Sequence, residues 1–389
     1  MKAGNATLSG YGTTIFEAMS ALAREHAAVN LGQGFPDDRG RLDLRRAAAD
    51  YVVDGFNQYP PMMGMPALRQ AVAAHDRRFY GLEVDWQTEV LITSGATEAL
   101  MDCFLGLLEP GDEVVVLEPS YDTYVPVIRR LGAIPRTVRL VPPAWTLPRD
   151  EVAAAFSPRT KLLLLNSPMN PAGKVFTRDE LAFLAELVER HDAFAVCDEV
   201  YEHLVFGDAR HVPLMALPGM RERSLRIGSA GKTFSVTGWK VGYITAPSAV
   251  LRPITKAHQF VTFTTPPNLQ HAVALGLGSD DAFFRSIAAP LVRGRDRLVS
   301  GLAGLELPAL PCDGTYFAVL DASRWLAPGE DDIAFCRRLV VEAGVVLIPM
   351  GAFYEAAPPR HLVRACFCKE DATIDAALDR LTAWVARQR

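Results

Sequence analysis

The chain has 389 residues, about two and a half average domain lengths, so two domains are expected. Its 49% apolar, 22% charged and 9% aromatic residues form an ordinary globular balance that excludes disordered, collagen-like and fibrous classes. Forty Lys+Arg against 45 Asp+Glu leave a net charge of −5, which argues against nucleic-acid binding through broad electrostatics, and no apolar run approaches the roughly eighteen residues of a membrane span.

In chain order, the first dozen residues lack the apolar run of a secretory leader, so a cytoplasmic protein is expected. Residues 1–40 are too short for a domain and read as an arm packing on a second unit. From 41 to 285, short apolar runs alternate with helical patterns. The runs are Glu89–Thr93, Glu113–Leu117, Lys161–Leu165, Phe194–Cys197, Leu225–Ile227 and Val241–Thr245. Continuous rather than alternating apolarity predicts strands buried on both faces, as in a parallel sheet. The clearest helix carries Leu100, Cys103, Phe104, Leu107 and Leu108 on one stripe and ends at Pro110-Gly111. Repeated strand–helix alternation predicts an α/β layer fold.

Residues 286–389 read as a smaller α+β domain. A charged helix (Val292–Leu302) precedes strands near Thr315–Leu320, Val345–Ile348 and Leu362–Phe367. The closing helix buries Ile374, Ala377, Leu378, Leu381, Trp384 and Val385. The six cysteines (103, 197, 312, 336, 366 and 368) are sparse and mostly within apolar runs, as free thiols of a reducing compartment are. Cys366 and Cys368 form C-x-C, which places both side chains on one face of a strand. With no histidine or second cysteine pair nearby, a metal site is not expected.

In an open parallel sheet, ligands bind outside the carboxyl ends of the strands. Past Thr93, Ser94-Gly95-Ala96-Thr97 opens a helix, which suits either an anion or tight packing. Past Leu165 lies a turn, Asn166-Ser-Pro-Met-Asn170-Pro171-Ala-Gly173. Past Cys197 comes Asp198-Glu-Val-Tyr201; taken alone, that aspartate reads as a helix cap. Past Ile227 comes Ser229-Ala-Gly-Lys232-Thr, with Lys240 eight residues on. A Walker-type loop is ruled out because Arg226, not glycine, stands five residues before Gly231. Together, an anion cradle, an Asn, an Asp and two lysines at one sheet edge form the inventory that pyridoxal phosphate demands.

The stretch Ser229-Ala-Gly-Lys-Thr-Phe-Ser-Val-Thr-Gly-Trp-Lys240-Val-Gly-Tyr resembles the cofactor-lysine motif of class I/II aminotransferases of fold type I, and within them the kynurenine/glutamine/methionine branch. Asn30-Leu-Gly-Gln-Gly34-Phe-Pro, Asn57-Gln-Tyr59-Pro-Pro, the 166–174 turn, Asp198-Glu-Val-Tyr201-Glu-His-Leu, Gly314-Thr-Tyr-Phe, Ile348-Pro-Met-Gly-Ala-Phe-Tyr and Arg364-Ala-Cys-Phe match in order, from about Thr13 to the C-terminus. The resemblance implies a mostly parallel seven-stranded sheet in a large three-layer cofactor domain (41–285), a smaller C-terminal domain (286–389) and the arm 1–40.

It also implies roles. Lys232 would carry pyridoxal 5'-phosphate as a Schiff base and move the proton. Asp198 would pair with the ring nitrogen, Asn170 and Tyr201 would donate to the ring oxygen, and Tyr121 would stack on the ring. Gly95, Ala96, Thr97, Ser229 and Lys240 would hold the phosphate. Tyr59 would reach the partner subunit's phosphate in a homodimer with composite sites. Arg364, with the backbone of Gly34 and with Asn170, would bind the substrate carboxylate.

Relatives specific for dicarboxylates carry an extra arginine after the cofactor lysine. Phe260–Ala274 has none, which points to methionine, glutamine, phenylalanine or kynurenine as donors. Two departures bear on specificity near the entrance: Ala18, where the branch often has glutamate, and Asp37-Asp-Arg-Gly-Arg, in place of a Pro-rich stretch. Three alternatives stand beside this reading. They are a C–S β-lyase, an N-succinyldiaminopimelate aminotransferase, and a non-enzymatic regulator, which the net charge disfavours. A nicotinamide-binding enzyme fails for want of G-x-G-x-x-G after a strand.

Overall fold

The structure is a computed structural model and describes every residue except 1 and 3. Among the described residues, twelve strands occur in chain order: β1 Val29–Asn30, β2 Val90–Thr93, β3 Glu113–Glu118, β4 Ile134–Arg139, β5 Thr160–Asn166, β6 Phe194–Asp198, β7 Ser224–Ser229, β8 Gly242–Thr245, β9 Phe317–Asp321, β10 Val345–Val346, β11 Ile348–Pro349 and β12 Leu362–Cys366. Seven of them form one sheet in the order β2-β8-β7-β6-β5-β3-β4. Only β8 runs against its neighbours. The fold is thus α/β, with a mostly parallel seven-stranded sheet and a smaller domain.

The continuous apolar runs became strands for the expected reason. Every residue of β2, β3, β7 and β8 is buried, because helices cover both faces. The exception is β4, which no apolar run announces. Its sequence IPRTVR mixes proline and arginine with apolar residues, and only Val138 is fully buried. It pairs on one side alone, at the sheet edge, where a proline and a half-exposed face are tolerated.

Five parallel strands end at Thr93, Glu118, Asn166, Asp198 and Ser229 on the same edge. Beside this edge sits the antiparallel sheet β11-β12-β9 of the smaller domain. In the N-terminal segment, β1 pairs in parallel with β10. The expected strand Val345–Ile348 is two short strands broken at Leu347, so that β10 pairs with the N-terminal segment and β11 with β12. The C-terminal helix, Asp371–Gln388, buries Ile374, Ala377, Leu381, Trp384 and Val385 as its periodicity predicts; Leu378 is only half-buried.

Candidate active site

A cavity of about 520 Å³ opens at this sheet edge, against the smaller domain. Its lining includes Gly34, Gly95, Ala96, Thr97, Tyr121, Asn170, Asp198, Tyr201, Ser229, Lys232, Lys240 and Arg364. Every candidate residue but one therefore converges here from across the chain. The exception is Tyr59, which is 82% exposed on the surface and packs edge-on against Phe263.

The sheet edge supplies the floor. Asp198 ends β6, and its Oδ2 accepts a hydrogen bond from the Tyr124 hydroxyl at 2.6 Å. Burial pushes its carboxyl above the ordinary carboxylate range, against the pull of Tyr124. Asn166, ending β5, fixes the adjacent turn: its Nδ2 donates to the Asp198 carbonyl at 2.9 Å, and its Oδ1 accepts from the Asn170 backbone at 2.7 Å. The 166–170 turn is thereby tied to the end of β6.

Lys232 lies on a single helical turn just past β7. Its Nζ sits 5.6 Å from the ring centres of both Tyr201 and Tyr316 and donates to the Tyr316 hydroxyl at 2.9 Å. That hydroxyl donates onward to the Gly34 carbonyl at 2.7 Å. Burial lowers the pKa of the lysine, although the Asp198 carboxylate pulls the other way.

At the other end of the cavity, Gly95 (φ +81) starts the helix Ala96–Leu107, whose first residues, Ala96 and Thr97, line the space with the N–H groups that a helix start leaves without partners in the helix. A Cβ on Gly242 would lie 2.6 Å from the Gly95 carbonyl carbon, and one on Gly95 would lie 3.2 Å from Lys240 Cε. The cradle therefore requires both glycines. Beneath it, His258 is buried, donating from Nδ1 to Glu98 Oε1 at 2.9 Å and from Nε2 to the Met62 carbonyl at 3.0 Å. Acceptors at both ring nitrogens mean an imidazolium. Burial opposes its charge, but Asp102 and Glu98 outweigh that and raise its pKa to about 9.

Arg364, on β12, is buried to 1% exposure. Its Nη1 donates to Asn170 Oδ1 and its Nη2 to the Gly32 carbonyl, each at 2.8 Å, while Nε has no partner. The guanidinium lies 3.9 Å from the Phe317 ring centre, with Phe16 and Phe353 also within cation–π range. A Cβ on Gly34 would come within 2.7 Å of Phe317, so the backbone closes on this wall only without a side chain.

Sequence reasoning missed Tyr124, Tyr316, Asn166, Asp122 and Phe16, all at or beside the cavity. Tyr316 was within sight, inside the quoted Gly314-Thr-Tyr-Phe. The two segments expected near the entrance divide. Asp37 and Asp38 line a smaller cavity of about 170 Å³ on the far side of Lys232, whereas Ala18 lines neither cavity. Nor does Phe260–Ala274 reach the cavity of its own chain.

The model of the family described as aminotransferase class I and II matches residues 27–381. The structure of N-succinyldiaminopimelate aminotransferase from Mycobacterium tuberculosis is 44% identical with a TM-score of 0.94, the match covering 98% of this chain and 100% of that one. YbdL from Escherichia coli, described as having a methionine aminotransferase function, is 40% identical with a TM-score of 0.95 over 98% and 100% of the two chains. Kynurenine–oxoglutarate transaminase 1 of Rattus norvegicus is 36% identical over 410 residues, 97% of each chain.

Proposed function

Because the chain belongs to the class I and II aminotransferases, we propose that it moves the amino group of a neutral, thioether or aromatic L-amino acid to a 2-oxo acid, in two half-reactions, as a pyridoxal 5'-phosphate enzyme and a homodimer. The observation that carries the substrate class is the set of cations lining the cavity. Among the described residues these are Lys232, Lys240 and Arg364. Each has a task in the common chemistry, so none is left for a second carboxylate. We further take 41–285 as the cofactor-binding unit and 286–389, with the arm 1–40, as the smaller one.

The residues fit the cofactor. A phosphate suits the glycine cradle, with its helix N–H groups, Ser229 and Lys240. A cationic ring nitrogen suits the buried Asp198, whose carboxylate is otherwise costly to ionise. Tyr121 would cover the ring face, and Asn170 and Tyr201 would donate to its oxygen. When bound, pyridoxal phosphate supplies a carbonyl for amine capture and an electron sink for the pair released when the Cα–H bond breaks.

The protein's own groups do the rest. Burial lowers the pKa of Lys232 from the ordinary amine range, which favours the neutral form whose Nζ takes up and returns a proton. The Lys232–Tyr316–Gly34 hydrogen-bond chain fixes where that nitrogen stands. Arg364 grips the α-carboxylate with a planar fork already oriented by Asn170 and Gly32, which sets the direction of the Cα–H bond. Phe16 and Phe317 keep water from the guanidinium and offer apolar contact to a side chain.

The 44% identity to the Mycobacterium tuberculosis enzyme favours N-succinyldiaminopimelate as a second reading. In that case the cation for its distal carboxylate would have to come from the partner subunit. A single-turnover absorbance scan against a panel of amino donors, without any oxo acid, separates the readings. Loss of the yellow cofactor band with release of the matching 2-oxo acid from methionine or an aromatic amino acid is expected. A response to N-succinyldiaminopimelate alone would replace the substrate class. Ammonia and pyruvate from a sulfur amino acid, with the colour retained, would mean β-elimination.

A further inference from the structure

The C-x-C pair is not used by the chemistry above, yet it stands on the wall of the site. Arg364, Cys366 and Cys368 follow one another at i, i+2 and i+4, so all three face the same side of β12 and its extension. The two sulfurs are 3.2 Å apart. Cys366 is fully buried as the last residue of β12. Cys368 lies just past the strand end, free of ladder pairing, and lines the 170 Å³ cavity together with Lys232 and Tyr316. Oxidant can therefore reach one sulfur, with the second already in contact behind it.

We propose that Cys366 and Cys368 form a reversible disulfide in the presence of a peroxide-class oxidant, and that this bond loosens the Arg364 carboxylate clamp. One sulfur of the pair attacks a peroxide oxygen, the O–O bond breaks, and a sulfenic acid and one water result. The other sulfur then attacks the sulfenic sulfur, expelling a second water. Two thiols lose two electrons and two protons, and one hydrogen peroxide becomes two waters.

The surroundings favour the second attack most. Burial works against a charge at Cys366, but the Cys368 thiol and the Lys369 and Arg364 charges outweigh it and hold the Cys366 thiol below its ordinary range, which suits Cys366 to attack a sulfenic acid on Cys368. Burial and the Cys366 sulfur hold the Cys368 thiol up against the pull of Lys369 and Lys232, so the oxidation of Cys368 is the slower step. The sulfurs need to close from 3.2 Å to about 2.05 Å. That movement acts on a connected chain. The Cys366 N–H donates to the Leu31 carbonyl at 2.7 Å, and the adjacent Gly32 carbonyl holds Arg364 Nη2. Drawing Cys366 toward Cys368 pulls on the segment that orients the guanidinium.

The test oxidises the purified holoenzyme with hydrogen peroxide, quenches it with an alkylating agent in denaturant, and maps the tryptic peptide 365–369. The expected product is this peptide unalkylated and lighter by two hydrogens, reverting on reduction with dithiothreitol. KM for the amino donor should rise about tenfold with a smaller change in kcat. Cys368→Ser, or Cys368→Ala should the serine variant fold poorly, should keep basal activity and lose this response. Cys366→Ser should leave Cys368 as a sulfenic acid that dimedone traps. Full alkylation of peptide 365–369 after peroxide treatment would overturn the proposal, as would absence of the dimedone adduct in Cys366→Ser. Equal loss of activity in wild type and Cys368→Ser would overturn the link to the clamp.

Discussion

Asp198 is a carboxylate at the end of a wholly apolar strand, held by a hydrogen bond from the Tyr124 hydroxyl to Oδ2 at 2.6 Å and a longer one from the Val200 N–H to Oδ1 at 3.4 Å. Removing the tyrosine donor leaves Oδ2 without its partner and only the longer bond to hold the carboxylate. Tyr124→Phe is expected to lower kcat about tenfold with KM for the amino donor nearly unchanged, in steady-state assays of cofactor-saturated enzyme. Arg364→Lys should do the reverse, raising KM about a hundredfold, because an ammonium cannot reproduce the fork that Asn170 and Gly32 orient. Lys232→Ala should abolish turnover and the cofactor's lysine-linked absorbance while leaving the circular dichroism spectrum intact. Lys232, Asp198 and Arg364 were legible because each sits in a motif. Tyr124 was not, because a tyrosine in an apolar stretch reads as core, and Tyr316, although inside the quoted Gly314-Thr-Tyr-Phe, carried no sign there of its bond to the lysine. Their partners lie 74 and 84 positions away, and only the folded chain joins them.

Whole elements are tied to the site through buried charge. The helix Ala96–Leu107, which begins the anion cradle, is linked to the helix Ser248–Val261 by His258, whose imidazolium faces Glu98 and Asp102. The folded-state pKa of about 9 stands above the ordinary histidine value of 6.5. The stabilisation is therefore complete below about pH 6.5 and is lost as pH rises through about 9. Burial also raises Asp102 to about 6, which likewise favours the protonated, lower-pH side. Thermal midpoints should accordingly fall between pH 6.5 and 9, and His258→Gln should have a lower midpoint at pH 6.5 and a flatter profile. Parallel profiles for the two proteins would remove His258 as the cause. The strands and helices that frame this linkage were readable from period and run length, since burial on both faces writes itself as unbroken apolarity. Edge strand β4 was not, because half-exposure erases that signature. The charge linkage was not either, as nothing local distinguishes His258 from a surface histidine.

The one candidate residue outside the cavity bears on the whole assembly. Tyr59 stands 82% exposed, and near it in sequence or packing Val53, Phe56, Phe260 and Phe263 are exposed as well. Bulky apolar side chains are costly to leave in water when they cluster, and a second copy of the chain is the occupant that the proposed composite site requires. No periodicity marks this surface, because its residues come from two segments some two hundred positions apart that each look like ordinary loop ends. Phe260→Asp should shift the protein to monomer in light-scattering chromatography and lower activity at least about tenfold. Loss of activity alone would not show that Tyr59 serves the partner's site, but mixed dimers would. Lys232→Ala homodimers should be inactive and Tyr59→Phe homodimers weakened. In a heterodimer of the two, one site combines the intact Lys232 of one subunit with the intact Tyr59 of the other. If Tyr59 acts across the interface, refolding the two variants together restores about half the wild-type activity per heterodimer and wild-type cofactor affinity in that site. If it acts within its own subunit, every site in the mixture carries a lesion, and activity stays at the level of the Tyr59→Phe protein present.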